Sequence, residues 1–382
     1  MVHLWLRAES KPMEHRAALT PSTCAELLDE GFQITVEESP ERIFDDNEYV
    51  VACQGKAGFN VKPFGSWRNA PADAYIVGLK ELPEGEDSPL PHTHIFFAHC
   101  YKNQGGWTDI LGRFDAGNGT ILDLEFLNDA QGRRVAAFGY HAGFAGAAIG
   151  VDDWCQQKLH PNQPLPAYKP FPNEHKLIEY IKERLGRAVE ANNGQIPEVM
   201  VMGALGRCGR GAVDLARAVG IPEDKIIKWD IQETQGGGPF PRILQSSIFV
   251  NCIYLNQPIP PFFTKEMLNG QRALSVIVDV SCDTTNPHNP IPVYTVNTTF
   301  DNPVIPVELG QANETNPPLD VCSIDHLPTL LPRESSEAFS RDLLPTIKAL
   351  KNRSESAVWG GAEDLFKKKV LEMRAVKAQQ SA

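Results

Sequence analysis

Short apolar runs alternate with segments whose apolar positions recur every three or four residues along most of this 382-residue chain. Runs of four to eight β-branched and aromatic residues predict strands, and the 3.6-residue period between them predicts helices. The alternation reads as repeated β–α units building parallel sheets, an α/β fold. In the first third the strand candidates are "VHLWLR", "FQITVEE", "DAYIVGL" and "IFFAH", and "TPSTCAELLDEG" is a capped helix that stops at Gly31. A second run begins at "EVMVMGALGRCGRGAVDLARAVG" and continues through "KIIKWD", "SSIFVNCIYL" and "LSVIVDVSCD". The proline-rich "KLHPNQPLPAYKPFPNEH" between the runs is expected to be an exposed loop. Near the end, "IDHLPTLLPRESSEAFSRDLLPTIKAL" returns to helix, and "SESAVWGGAEDLFKKKVLEMRAVKAQQ" is a charged amphipathic helix. No repeat of fixed period is present.

The uncharged stretch Val135–Val151 changes this picture, because its glycines at 139, 143, 146 and 150 step by four, three and four. That spacing lines one helical face with residues that let another backbone come very close. The stretch is shorter than the roughly 20 apolar residues a membrane span requires. It is read as a buried inter-domain helix. A chain of this length carries more than one core, since single cores seldom grow past about 250–300 residues.

Composition narrows the function classes. With 42% apolar and 22% charged residues the chain is globular rather than disordered. Its 48 acidic against 36 basic side chains give a net charge of −12, which argues against nucleic acid or an anionic membrane as partner. Eight cysteines stand singly with no CxxC pair, a usage that suits a reducing compartment. The N-terminus turns charged too early for a signal peptide and reads as a first strand. The terminal "QQSA" is not an SKL-type address, so cytoplasm is the default and the peroxisome stays open.

Candidate chemistry gathers at three places. Gly203, Gly206 and Gly209 lie between a strand and an Ala/Leu-rich helix, where a tight turn brings backbone and a helix N-terminus to a pyrophosphate. The next strand ends in Asp230, about twenty residues on, where a dinucleotide fold places its ribose-binding carboxylate. A carboxylate there, with no arginine following in "DIQETQ", favours NAD over NADP. The second place is the pair of strand ends "DAYIVGLK" and "IFFAH". If these strands are parallel, Lys80 and His99 emerge together at a carboxyl edge, and each cation lowers the pKa of the other toward working pH. The third is an arginine set, Arg16, Arg133 and Arg134, whose bidentate geometry suits substrate carboxylates.

The stretch "PHTHIFFAHCYK" brings three histidines together. On one strand His92 and His94 share a face while His99 falls on the other, so a single strand cannot offer all three to a metal. No metal site is expected. His92 and His94 are expected to be structural or solvent-facing.

"LRAESKPMEHRAALTP", "VGLKELP", "FAHCYKNQGGW", "EFLNDAQGRRVAAFG", "GALGRCGRGA", "VDVSCDTTNPHNP", "NTTFDNPVIPVELG" and "SIDHLPTLLPRE" together resemble the saccharopine dehydrogenase family, the NAD-dependent, lysine-forming enzymes of the α-aminoadipate route of lysine biosynthesis. The resemblance runs over nearly the whole chain. It is weakest around 152–197, "CQGKAGFNVKP", "ELGQANETNPPLDVCS" and the tail. The family belongs to a wider group with alanine dehydrogenase and transhydrogenase NAD domains.

That resemblance implies two Rossmann-like domains with parallel sheets separated by a cleft and linked by the glycine-lined helix. Residues 1–136 plus 328–382 would form the substrate and catalytic domain, and 137–327 the NAD-binding domain. It implies oxidative cleavage of saccharopine to lysine and 2-oxoglutarate by hydride transfer, imine formation and hydrolysis. Lys80 and His99 would be the acid–base pair. Arg16, Lys80, Gln104, Arg134, Phe138, Ser281, Cys282 and Asp283 would line the substrate side. Arg133, Gly203, Gly206, Arg207, Asp230, Thr234, Tyr254, Val280, Ile324, Asp325, His326 and Leu327 would hold NAD. Glu81 and Glu125 would tune the charge of the pair or simply be exposed. Partners would be small molecules, with the chain expected as a monomer.

Cys208 follows the phosphate loop and Cys252 ends "IFVNC", on strands that neighbour one another in a dinucleotide fold. Reduced thiols are the expectation, with an oxidised 208–252 bridge obstructing the pyrophosphate site as the hypothesis beside it. Two other functions remain open. One is an alanine-dehydrogenase-like enzyme acting on a simple amino acid; the other is a non-catalytic NAD-sensing protein that keeps Asp230 and the glycines but needs neither Lys80 nor His99.

Overall fold

The computed structural model describes the chain except for residues 84, 256, 283–288, 310–314 and 381–382. Its elements run β1 (His3–Leu6), α1 (Pro21–Asp29), β2 (Gln33–Glu37), α2 (Asp46–Ala52), β3 (Phe59–Lys62), β4 (Tyr75–Val77), β5 (Thr93–Phe96), α3 (Trp107–Gly117) and β6 (Thr120–Asp123). They continue with α4 (Gly139–Leu159), α5 (Glu174–Ala191), β7 (Val199–Met202), α6 (Arg207–Ala218), β8 (Ile226–Trp229), α7 (Ile231–Thr234) and β9 (Ile248–Asn251). Last come α8 (Lys265–Asn269), β10 (Val276–Asp279), β11 (Ile305–Pro306), β12 (Asp320–Cys322), α9 (Pro332–Lys348) and α10 (Ala357–Gln380). The chain divides into two compact units, one of residues 1–137 with 332–382 and the other of residues 138–331.

The first unit is built on a parallel sheet in the order β3-β2-β1-β4-β5-β6. The strand order reverses beside β1, which makes the carboxyl ends of β1 and β4 the switch point where open α/β sheets bind ligands. Register places Leu6 opposite Val77 and Val77 opposite Ile95. Leu4, Ile34, Ile76, Ile95 and Ile121 are buried at the sheet, as expected of strands covered on both faces. Phe366, Val370 and Met373 of α10 join Phe96, Phe114 and Ile121 in one apolar cluster. Helix α9 docks differently, through serines: Ser336 Oγ accepts the amide of Ala17 at 2.9 Å, and Ser340 Oγ that of Thr20 at 3.2 Å. The C-terminal helices thus complete the fold begun by the N-terminal strands.

The second unit has the order β11-β12-β10-β9-β7-β8, parallel except for β11. Its reversal point lies between β7 and β9. Helix α4 begins where this unit begins and is buried over most of its length. A Cβ on Gly143 would run into the carbonyl oxygen of Cys208 in α6, and one on Gly211 of α6 into the carbonyl oxygen of Tyr140. Gly146 and Gly150 meet Val278 and other side chains of the sheet. The glycine face therefore packs two helix backbones together and seats α4 on the sheet of its own unit.

Several expectations are corrected. The loop at 160–173 is not wholly exposed, because Leu165 and Tyr168 are buried in the core of the second unit. Strands β3, β6, β11 and β12 carry weak signals, being two to four residues long, and the sequence pattern omits them. Lys80 and His99 do not close their strands. β4 stops at Val77 and β5 at Phe96, so each residue lies three positions beyond its strand. Strand parity consequently does not govern His99. His94 sits inside β5 with no exposed surface, ringed by Trp67, Phe96 and Phe114, and His92 is buried with its Nε2 against the Ala70 carbonyl oxygen at 3.0 Å. Both are structural and neither faces solvent. Among the described residues no helix is long and apolar enough to cross a membrane.

The helix contact makes a contrast testable. Gly143→Ala and Gly211→Ala force backbone apart and should each lower stability by about 1–3 kcal/mol. Gly186→Ala, at an exposed position in α5 with open space around a Cβ, should raise it by roughly 0.5–1 kcal/mol. Denaturant midpoints of the three variants check the opposite signs.

Candidate active site

Beyond the carboxyl ends of β1, β4 and β5 the backbone leaves the sheet ladder, and a set of charged side chains converges there. Glu14 holds Arg16 bidentately, with Nε donating to Oε1 at 2.8 Å and Nη2 to Oε2 at 2.7 Å, both residues buried. Lys80 lies next to this pair, and its ammonium also feels Glu81 and Lys11. Burial first, then the Arg16 charge, holds the Lys80 pKa below the ordinary lysine value, against the opposing pull of Glu14 and Glu81. Glu81 bridges to Lys11 Nζ at 3.2 Å and hydrogen-bonds Nδ1 of His99. Burial alone would push the Glu81 carboxyl up, but the hydrogen bond and charge of His99 hold it well down.

His99 has a left-handed backbone, φ 47°, that few residues other than glycine adopt readily. The peptide is fixed from below by Asp123, which ends β6: its Oδ2 accepts the Ala98 amide at 3.2 Å and its Oδ1 the Glu125 amide at 2.9 Å. Burial pushes Asp123 up to about 6. With Nδ1 committed to Glu81, His99 has Nε2 left for chemistry. A cavity of about 1060 Å³ opens beside His99 and Glu81, lined also by Lys11, Gln104, Asp109 and Arg113, while Lys80, Arg16 and Glu14 lie outside its lining.

The structure brings together Arg16, Lys80 and, through Glu81, His99, and Gln104 lines the cavity on the His99 side while accepting the Lys102 amide at 2.7 Å. Arg133 and Arg134 follow in the same unit on an exposed turn. Arg133 Nη2 pairs with Asp129 at 3.1 Å, and the backbone of Arg134 forms an isolated antiparallel bridge with that of Asn128. Glu125 is not simply exposed, since Lys102 Nζ reaches it at 2.8 Å. Sequence reading missed Glu14, Lys11 and Asp123. Nothing marks Asp123 in sequence as a buried strand-end carboxylate, whereas Glu14 two residues before Arg16 is a readable hint of a local pair.

In the second unit the expected cofactor residues gather at one sheet edge. Gly203 follows β7 with φ 84°, and its amide and that of Ala204 both donate to the Trp229 carbonyl oxygen, at 2.8 and 3.0 Å. Gly206 caps α6, of which Arg207 is the first residue. A Cβ on Gly209 would strike the Gly203 carbonyl oxygen, so the third glycine lets helix and loop close up. Asp230, just past β8, accepts the Leu205 amide on Oδ2 at 2.8 Å and caps α7, while the Thr234 hydroxyl donates to the Asp230 carbonyl oxygen. The glycine turn after β7 and the Asp230 carboxylate after β8 are therefore one hydrogen-bonded assembly at the N-terminus of α6.

Tyr254 follows β9 and is exposed; Val280, Ser281 and Cys282 follow β10. Ile324 and Leu327 are buried after β12, and Asp325 holds His326 Nδ1 at 2.6 Å. Phe138 is the first residue of this unit and Asp283 lies outside the described residues. Asp279, beneath Val280, accepts from Tyr294 and Asn251 and is pushed by burial up to about 6. Cys208 and Cys252 are free thiols in mutual hydrogen-bond contact; burial first, then Cys208, pushes the Cys252 thiol well up.

Residues 5–145 match a family model described as alanine dehydrogenase/PNT, N-terminal domain. Among curated proteins, the saccharopine dehydrogenase (NAD(+), L-lysine-forming) of Schizosaccharomyces pombe is 59% identical over 97% of this chain and 99% of its own length. The enzyme of the same name from Yarrowia lipolytica is 60% identical over 97% of this chain and 98% of its own, and that of Candida albicans 55% over 97% and 98%. Among solved structures, an L-alanine dehydrogenase superposes with a TM-score of 0.63 at 14% identity, covering 96% of this chain and 94% of its own. A transhydrogenase from Sinorhizobium meliloti gives 0.57 at 17%, covering 91% and 94%. These two likenesses establish the shared fold of two Rossmann-like domains. The curated relatives, alike over their whole length, establish more: the chain belongs to the NAD(+)-dependent, L-lysine-forming saccharopine dehydrogenase family.

Proposed function

We propose that this protein oxidises saccharopine with NAD and water to lysine and 2-oxoglutarate, with the unit of residues 1–137 and 332–382 supplying the acid–base groups and the unit of 138–331 holding the cofactor. The observation that carries the reading is the joint presence of a half-buried lysine and a carboxylate-oriented histidine past adjacent strands at the carboxyl edge of one sheet, in a chain 59% identical to an enzyme of that name. NAD, when bound, accepts the hydride from the glutamyl carbon. Lys80 takes the proton of the secondary amine, since burial and Arg16 favour its neutral form. His99, through Nε2, activates water against the resulting imine and returns a proton to the departing lysine nitrogen. Glu81 holds the tautomer this requires.

The three carboxylates of saccharopine call for cations, and Arg16 and Arg134 are assigned to them, with Gln104, Phe138, Ser281, Cys282 and Asp283 completing the substrate side. Arg133, Gly203, Gly206, Arg207, Asp230, Thr234, Tyr254, Val280 and the 324–327 segment are assigned to NAD. The Asp230 carboxylate, facing the free 2′-hydroxyl, is the ground for NAD over NADP. Eight cysteines standing singly with no CxxC pair suit a reducing compartment, and the cytoplasm and a monomer are the expectation.

Oxidation of NADH should proceed with lysine and 2-oxoglutarate and not with pyruvate and ammonia; the reverse preference would sink the assignment in favour of an alanine-dehydrogenase-like enzyme. Lys80→Met and His99→Gln should each lower kcat by about 10²–10⁴-fold. Full turnover in both would leave a non-catalytic NAD-binding protein as the reading.

The rate should also rise with pH as Lys80 loses its proton. Arg16→Gln removes a positive charge that drives that proton off and leaves Glu14 to hold it, so the acid limb should move to higher pH while KM for saccharopine increases. A limb that stays in place would show that Lys80 is not the group being titrated. Mild oxidation of the protein without cofactor should link Cys208 to Cys252 and abolish NAD binding, read by peptide mapping and NADH fluorescence.

A further inference from the structure

The ion pair of Arg7 and Glu9 lies directly beneath Lys80, and the proposed chemistry does not use it. Both side chains are almost wholly buried at the carboxyl end of β1, next to β4 at the sheet's switch point. Apart from a bond from Arg7 Nη1 to the Ala8 carbonyl oxygen at 3.3 Å, their hydrogen bonds to backbone go to Leu79 and Lys80. Glu9 Oε1 accepts the Leu79 amide at 2.7 Å, and Oε2 accepts the Lys80 amide at 2.9 Å. Arg7 Nη2 donates to the Lys80 carbonyl oxygen, and Nη1 reaches Glu9 Oε2 at 3.4 Å. Backbone donor and backbone acceptor of one residue are thus gripped by opposite ends of one ion pair.

Gly78 is the floor of this arrangement, because a Cβ there would collide with the guanidinium. Phe96 lies under the same group, 5.8 Å from the guanidinium carbon to its ring centre. Burying two charges is costly unless each is hydrogen-bonded as well as paired. An apolar pair of the same volume would fill the space but could not hold a peptide past the end of a sheet ladder.

We propose that Arg7 and Glu9 are positioning residues that clamp the Lys80 peptide and so fix where its ammonium stands relative to Arg16, Glu14 and Glu81. The inference rests on Lys80 being the base. It requires a carboxylate at position 9, since two N–H donors converge on its two oxygens, and a forked donor at position 7, since one arm reaches the carbonyl oxygen and another the carboxylate. A carboxamide at position 9 would turn an NH₂ group toward one of the two amides and release that half of the clamp.

The test is steady-state kinetics of saccharopine oxidation by the full chain, as kcat, KM and pH profile. Lys80→Met is the control for the underlying reading. Glu9→Gln should lower kcat about 10- to 100-fold, the scale expected of a displaced catalytic group, with KM for NAD unchanged. Its acid limb should move to higher pH as Lys80 gains solvent, with Arg16, Glu14, Glu81 and Lys11 left in place around it. Glu9→Asp, which keeps the charge, should recover part of the loss. Gly78→Ala, which displaces the guanidinium with both charges intact, should reproduce it, as should Arg7→Lys.

If Lys80→Met retains turnover, the reading of Lys80 falls and the clamp with it. Should Lys80→Met be dead while a folded Glu9→Gln keeps kcat within twofold and its acid limb in place, only the clamp is overturned. Where Glu9→Gln does not fold, Gly78→Ala and Arg7→Lys decide by the same criteria. Failure of all three to fold would assign the pair to stability alone and also overturn the proposal.

Discussion

Backbone amides that have just left a parallel sheet depend, in this protein, on buried carboxylates supplied by the neighbouring strand. Glu37, at the end of β2, accepts the Ala8 amide past β1, those of Gly65 and Trp67, and the Trp5 indole. Glu9, past β1, takes the amides of Leu79 and Lys80 past β4. Asp123, ending β6, takes that of Ala98 past β5. A buried amide left unpaired costs about 1–3 kcal/mol, and a strand end cannot find its partner in the ladder it has left. The carboxylates therefore let strand exits stay dry and fixed, and the proposed catalytic groups stand on those exits.

The second unit meets the same constraint with its own groups. Asp230 past β8 takes the Leu205 amide past β7, and Asn251 at the end of β9 takes that of Ile253 while donating to Asp279 at the end of β10. In both units most of these fastenings join adjacent strands, so the carboxyl edge of each sheet is a laced row rather than a set of separate loops. This explains how side chains on short, irregular segments can be held to the tolerance that proton and hydride transfer demand. The electrostatic cost is local: burial pushes Asp123 and Asp279 each up to about 6, and Glu9 upward as well.

The proposed acid–base pair differs from its supports in its surroundings. Lys80 is depressed by burial and by Arg16, while Glu14 and Glu81 oppose the shift. With Lys11 added to these, four charges set one proton affinity, and the proposed backbone clamp would set its place. His99 is oriented by a side chain, Glu81, and its own backbone is left-handed, directly after the Ala98 amide that Asp123 holds.

Read as letters, the chain already determined its α/β class, the glycine loop with its carboxylate twenty residues on, the helix with a glycine face and the two C-terminal helices. Those features rest on period and spacing, which are local properties of a polymer. Lys80 and His99 were legible as strand-end cations, but not that they stand three residues past the strands, because strand length is set by pairing partners far along the chain. The burial of His92 and His94 was likewise hidden, since an imidazole says nothing of whether Trp67, Phe96 and Phe114 will surround it. Nothing in the sequence sets Arg7, Glu9, Glu37 and Asp123 apart from ordinary surface charges, and the spacing of Glu14 from Arg16 hints only at a local pair. Only the tertiary fold, by excluding water from the ends of its strands, made each of them a fixed partner for a particular amide or cation.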